Sequence, residues 1–213
     1  KLADAILKEF QDAVVSVFNF SGTPGSDSAL PFRQKTVARE VADARMVIDY
    51  LRKHVLPAPV PLVIVGLSTG AIIGSLLRGY DPHSCIALVA SLLDVRKGLH
   101  FDFTESQLAD FGTKGFCMKE FFLPHGSPAN PPDAEMEAHD GATTATWCKH
   151  YMPLDVAYRD NFLKLDILGA VQSGASPLLI IHGGADKSVP IANGEELFGA
   201  AREPKKIVMI PKG

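Results

Sequence analysis

The sequence predicts an α/β fold with a mostly parallel sheet flanked by helices, and three observations carry that prediction. Residues 62–65 form a continuous apolar run, which suits a strand covered on both faces of a parallel sheet. That run passes through Gly66-Leu67-Ser68-Thr69-Gly70 directly into a second apolar stretch, 69–77, which suits a buried helix. Further strand-like runs at 85–90, 177–181 and 206–210 alternate with helix-like stretches, and such alternation implies right-handed crossovers between parallel strands.

Taken in chain order, Leu2, Ile6 and Phe10 recur at four-residue spacing with charges between them, predicting a short amphipathic helix over 1–11. The β-branched and aromatic run at 13–20 predicts a strand. It leads into a Gly, Ser and Pro-rich loop, 21–28, at the strand's C-terminal end, where α/β sheets place ligands. Val37, Val41, Ala44, Ile48, Leu51 and Val55 step by four and three with charged residues elsewhere, so 36–54 is a helix with one face on the core, stopped by Pro57 and Pro59.

Residues 94–165 break the alternation. The stretch 99–122 is aromatic-rich and expected to be helical in part, whereas 126–146, rich in Pro, Gly and acidic residues, reads as an exposed loop. An excursion of this length between two sheet strands suggests a cap or lid; the alternative is a disordered surface insertion. The rhythm then resumes with a helix at 162–171, the strand at 177–181, a helix opened by Pro190 and running to about 202, and the last strand.

A chain of 213 residues, 46% hydrophobic and 21% charged, can bury one sizeable core, which predicts a single domain over 1–213 with the 94–165 cap inserted in it. A net charge of −3 leaves no electrostatic footprint for nucleic acid, and no Lys/Arg run reads as a membrane-surface patch. No apolar stretch has the length of a membrane span, and the N-terminus has no signal-peptide layout. Cys85, Cys117 and Cys148 are odd in number and widely spaced, which predicts reduced, buried thiols and suggests a cytoplasmic setting.

The five residues from Gly66 to Gly70 carry the chemistry. A G-x-S-x-G turn between a strand and a helix must be tight, and glycines two positions either side of Ser68 let strand and helix approach while the serine takes a strained conformation with its hydroxyl outward. The bland alternative is Ser68 as an ordinary side-chain cap of the helix, which leaves both glycines unexplained. A serine hydroxyl attacks a carbonyl only when a base takes its proton, and a carboxylate fixes that base. Asp186 suits the carboxylate role, lying in a glycine-rich turn just after a buried strand; it also suits capping the helix at Pro190.

The base is harder to find. His54, His83, His100, His125, His139 and His150 all precede Asp186, and His182, leading out of a strand, is better placed to buttress the loop. In the order that accompanies this turn the histidine follows the acid, and no histidine follows Asp186 in these residues. The cluster Asp133, Glu135, Glu137, His139 and Asp140 reads as solvated loop residues, so no metal is predicted, and without a P-loop or dinucleotide fingerprint no cofactor is implied.

Three segments together resemble the α/β-hydrolase fold superfamily, most closely its feruloyl-esterase-like and serine-aminopeptidase-like branch. Phe18 through Ser28 is similar to the loop after that family's fourth strand, Gly66 to Gly70 to its nucleophile elbow, and His182-Gly183-Gly184-Ala185-Asp186-Lys187-Ser188-Val189-Pro190 to its acid loop. The resemblance implies Ser68 as nucleophile, Asp186 as the acid and the backbone N–H of Thr69 as an oxyanion donor, with the excursion sitting where the family inserts its cap. It also implies a histidine shortly after the last strand and three strands before the first, so the chain is expected to be part of a longer protein, with a gap in the sheet or a new pairing. On its own it is expected to melt below about 55 °C, mid-range for a mesophile domain.

The expected activity is cleavage of a carboxylic ester in a small-molecule substrate by an acyl-enzyme route. Cleavage of an amide or peptide by the same machinery is the alternative, and a binding protein that has lost the histidine is a third. Phe101, Phe103, Phe111, Phe116, Phe121, Phe122, Trp147 and Tyr151 suggest either an apolar pocket or the cap's own small core.

Overall fold

A computed structural model describes residues 2–56, 60–124, 136–137 and 147–213. Its helices are α1 (Leu2–Glu9), α2 (Val37–His54), α3 (Thr69–Leu76), α4 (Val95–Asp102), α5 (Glu105–Thr113), α6 (Val156–Phe162), α7 (Ile167–Ser173) and α8 (Ala192–Ala200). Its strands are β1 (Leu62–Leu67), β2 (Ser84–Val89), β3 (Phe116–Pro124), β4 (Met136–Glu137), β5 (Trp147–Asp155), β6 (Leu178–Gly183) and β7 (Lys205–Ile210). Pro57, Pro59, His125, Asp133, Glu135, His139, Asp140 and most of the loop expected at 126–146 lie outside the described residues.

The expected parallel sheet is present, with β1, β2, β6 and β7 side by side. One face is the core. Ile86, Leu88, Leu178 and Ile180 alternate inward and are buried with Ile72, Leu77, Val171 and Leu197 of the helices. The other face departs from expectation: Val63 is 60% exposed and Leu67 65%, so β1 is not covered on both sides among the described residues. An unbroken apolar run is equally compatible with a strand at the margin of a sheet whose second face has no helix on it.

Residues 13–20, expected as a strand, form none. The run is β-prone but has no ladder partner among the described residues, and Val14 and Val17 are exposed. Side-chain propensity does not make a strand without a neighbour to pair with. The helix after it is as expected, with the Thr36 side chain accepting from Arg39 N–H at its start and Arg52, Lys53 and His54 in its last turn, where cations favour the helix dipole.

Between β2 and β6 lie α4, α5 and an antiparallel sheet in the order β3-β5-β4, followed by α6. The expected helical character of 99–122 holds only to Thr113, because Phe116–Pro124 pairs residue for residue with Trp147–Asp155 across the intervening chain. The three cysteines are free; Cys117 and Cys148 are buried in this sheet, and burial pushes the Cys117 thiol up to about 11. Phe162 closes α6 rather than opening the next helix, which starts at Ile167 under an Asp166 cap. Pro190 likewise stands ahead of α8, not at its first position.

Arg78 ties the far end of the sheet together. Its guanidinium donates to the carbonyls of Ser176 (2.9 Å), Val171 (2.5 Å) and Arg202 (2.6 Å), joining the ends of α3, α7 and α8. Burial and the neighbouring Arg202 charge lower its pKa from the usual guanidinium value.

Candidate active site

The chain leaves β1 and enters α3 through Ser68, whose backbone has φ 55° and ψ −119°, a region that non-glycine residues seldom occupy. Its N–H donates to Val89 O (3.0 Å), and its carbonyl accepts from Ala71 N (2.8 Å). The Ser68 side chain makes no capping hydrogen bond to the helix, which removes the ordinary-cap alternative. Only one of the two flanking glycines is required by space: a Cβ on Gly66 would stand 2.1 Å from Gly70 O, whereas a Cβ on Gly70 would meet open space. The expectation that both are needed for close approach is corrected accordingly.

Thr69 is the first residue of α3, and among the described residues no backbone carbonyl accepts its N–H. Free N–H groups and the positive end of the dipole coincide at such a terminus. Burial, aided by the Asp102 and Glu40 carboxylates, raises the phenol of Tyr158 on α6 well above its ordinary pKa, and the Thr69 side chain opposes the rise.

Asp186 lies in the turn after β6. Its Oδ1 accepts from the N–H groups of Ser188 (2.8 Å) and Val189 (2.9 Å), so it shapes its own loop and does not cap α8. His182 is fully buried beneath the loop, with Nε2 2.8 Å from Val189 O, and Nε2 is 3.9 Å from Asp186 Oδ2. That is the buttress expected of it. The end of β7 closes on the same turn: Gly184 N–H donates to Ile210 O (2.7 Å) and Ala185 N–H to Gly213 O (2.9 Å).

A cavity of about 50 Å³ brings these parts together, with Ser68 and Thr69 on one side and Ser188 and Val189 of the Asp186 loop on another. No histidine lines it among the described residues. Of the aromatics proposed from sequence, Phe101 is on its wall, while Phe103 and Phe111 pack edge-to-face in the core at 5.3 Å. Leu92, Gly98 and Phe162 also line it, and nothing in their local sequence marks them, because the walls come from three separate elements. No group of described residues could hold a metal ion, and no described helix is long and apolar enough to cross a membrane.

The family model for serine aminopeptidase S33 (Hydrolase_4) matches residues 10–213. The structure is similar to the α/β hydrolase GrgF from Penicillium sp. sh18 (TM-score 0.61, 16% identity, 99% of this chain and 75% of that one). It is also similar to Est1E from Butyrivibrio proteoclasticus, solved with ferulic acid (TM-score 0.58, 19% identity, 91% and 65%). Alpha/beta hydrolase domain-containing protein 10 from mouse is similar too (TM-score 0.57, 19% identity, 92% and 67%). In sequence, 37 residues are 49% identical to the uncharacterized protein YfhR of Escherichia coli K12, 17% of this chain and 13% of that protein. The chain thus spans less than two thirds of Est1E, and its alignment with YfhR is shorter still. A sheet of this topology with a family match over nearly its full length places the chain in the serine aminopeptidase S33 family, on the α/β-hydrolase fold.

Proposed function

We propose that the protein is a serine hydrolase that cleaves carboxylic esters through an acyl-enzyme on Ser68. The observation that carries the reading is the Ser68 backbone at φ 55° between β1 and α3, beside a Thr69 N–H without a backbone acceptor. Positive φ at a non-glycine residue costs on the order of 1–3 kcal/mol and persists where the surroundings enforce it, as they do at a nucleophile elbow.

In the proposed route Ser68 Oγ attacks the ester carbonyl, a histidine takes its proton and later returns it to the leaving alcohol, and Asp186 orients that histidine. The Thr69 N–H donates to the developing oxyanion. No described histidine lines the cavity, so the reading assigns this role to a histidine other than those described around Ser68.

Turnover of p-nitrophenyl acetate by the full-length protein and by its Ser68→Ala variant tests the reading. Loss of at least about a thousandfold in kcat is expected for removal of the nucleophile; unchanged turnover by the variant would sink it. Amide cleavage is a second reading, favoured by the family's description as serine aminopeptidase. An aminoacyl p-nitroanilide turned over faster than the matching ester would select it.

A further inference from the structure

We infer that the cavity beside Ser68 is an acyl pocket sized for short chains, so that the substrates are esters of acids of about two to four carbons. The inference rests on the ester-hydrolase reading and adds its substrate class. The cavity holds about 50 Å³. So small a space admits only a few heavy atoms next to the serine. Ile72, Leu92, Phe101, Phe162 and Val189 supply most of the wall and Thr69, Asp102 and Ser188 its polar edge, so a short hydrocarbon chain lies against the apolar side.

Those walls are fixed. A Cβ on Gly98 would lie 3.0 Å from Leu92 Cδ2 and 3.2 Å from Phe162 Cε1, so α4 already presses both side chains as closely as a glycine permits. Phe162 stacks on Tyr158 (6.1 Å, 24°), Tyr158 meets Phe103 edge-on (5.9 Å), and Phe103 meets Phe111. With every ring of this row buried, Phe162 has no free volume to retreat into. A longer acyl chain therefore has to displace packed core, which costs more than its extra methylenes gain.

The test is kcat/KM on p-nitrophenyl acetate, butyrate and octanoate for the full-length protein and its Ser68→Ala, Leu92→Ala and Gly98→Ala variants. Octanoate is expected at least about tenfold below butyrate, the discrimination a hydrophobic pocket achieves over single methylenes. Leu92→Ala is expected to raise the octanoate-to-acetate ratio and Gly98→Ala to lower the butyrate-to-acetate ratio. Each ratio is taken within one preparation, so partial misfolding of a variant does not change it. Ser68-dependent turnover without a fall at octanoate, or a ratio unmoved by Leu92→Ala, overturns the acyl-length inference alone. Absence of Ser68-dependent turnover on all three esters defeats the ester-hydrolase reading itself.

Discussion

A Cβ placed on Gly66 would stand 2.1 Å from the carbonyl oxygen of Gly70, while one placed on Gly70 would touch nothing. The two glycines of the motif therefore do different jobs, and their alanine variants should diverge. Gly66→Ala must push the last turn of β1 away from α3, an overpacking of about 3 kcal/mol or more. Gly70→Ala is expected to be neutral or to stabilise by up to about 1 kcal/mol, because alanine favours the helix. In thermal melts the first should fall by about 6 °C or more and the second should not fall, at about 2–4 °C per kcal/mol for this size. Equal losses would show that the tightness of the Ser68 turn is not localised at Gly66.

Arg78 offers a test of the sheet's far end, away from the candidate site. Replacing it by Met takes the guanidinium donor from the buried carbonyl of Ser176 and the part-buried one of Arg202, while Val171 O keeps its bond from Arg202 N–H. A buried acceptor left without a donor costs about 1–3 kcal/mol, so Arg78→Met should lower Tm by at least about 2 °C, taking about 2–4 °C per kcal/mol. Arg78→Lys should recover only part of this, since one ammonium cannot span three carbonyls with a fixed fork. Full recovery by Lys would mean that charge alone suffices.

The elements legible in sequence were those whose signals are local. The α2 periodicity, the β1–Ser68–α3 junction and the turn after β6 are each read from consecutive residues, and each forms where expected. Two segments whose outcome turns on a distant partner were not legible. Residues 13–20 have strand chemistry and no ladder, while Phe116–Pro124 is a strand only because Trp147–Asp155 lies beside it. The candidate site divides the same way. Ser68, Thr69 and Asp186 stand out by motif, whereas Leu92, Gly98 and Phe162 reach the cavity through tertiary packing that no short pattern encodes.

Glu40 gives a pH dependence. It is buried on α2 with Oε1 2.8 Å from Lys35 Nζ and with Oε2 unpartnered among the described residues. Burial raises its pKa above the ordinary value of 4.5; Lys35 pulls it back, and the Asp43 and Asp102 carboxylates add to the rise. The folded state then holds this proton more tightly than the unfolded chain does. Its contribution is fully present below the unfolded pKa of about 4.5 and is lost as pH rises through the folded pKa. Glu40→Gln stays neutral, so the Tm of the variant minus that of the wild type should grow as pH increases from 4 to 8. A difference that is flat or shrinks with pH would show that the Lys35 pair, not burial, governs this carboxyl.

Asp186 is both a loop-former and the proposed acid, and two substitutions separate these roles. Its Oδ1 accepts from Ser188 N–H and Val189 N–H, and the asparagine carbonyl oxygen can accept the same two bonds. Asp186→Asn should therefore keep Tm within about 2 °C of wild type, a change of about 1 kcal/mol or less. Asp186→Ala removes the acceptor and should cost about 1–3 kcal/mol. Ester turnover should respond differently, falling in both variants by about a hundredfold or more, because an amide neither fixes the tautomer nor stabilises the imidazolium of the partner histidine. If Asp186→Asn retained both its melting temperature and its turnover, the carboxylate would be a turn residue alone, and the acid would have to be sought elsewhere.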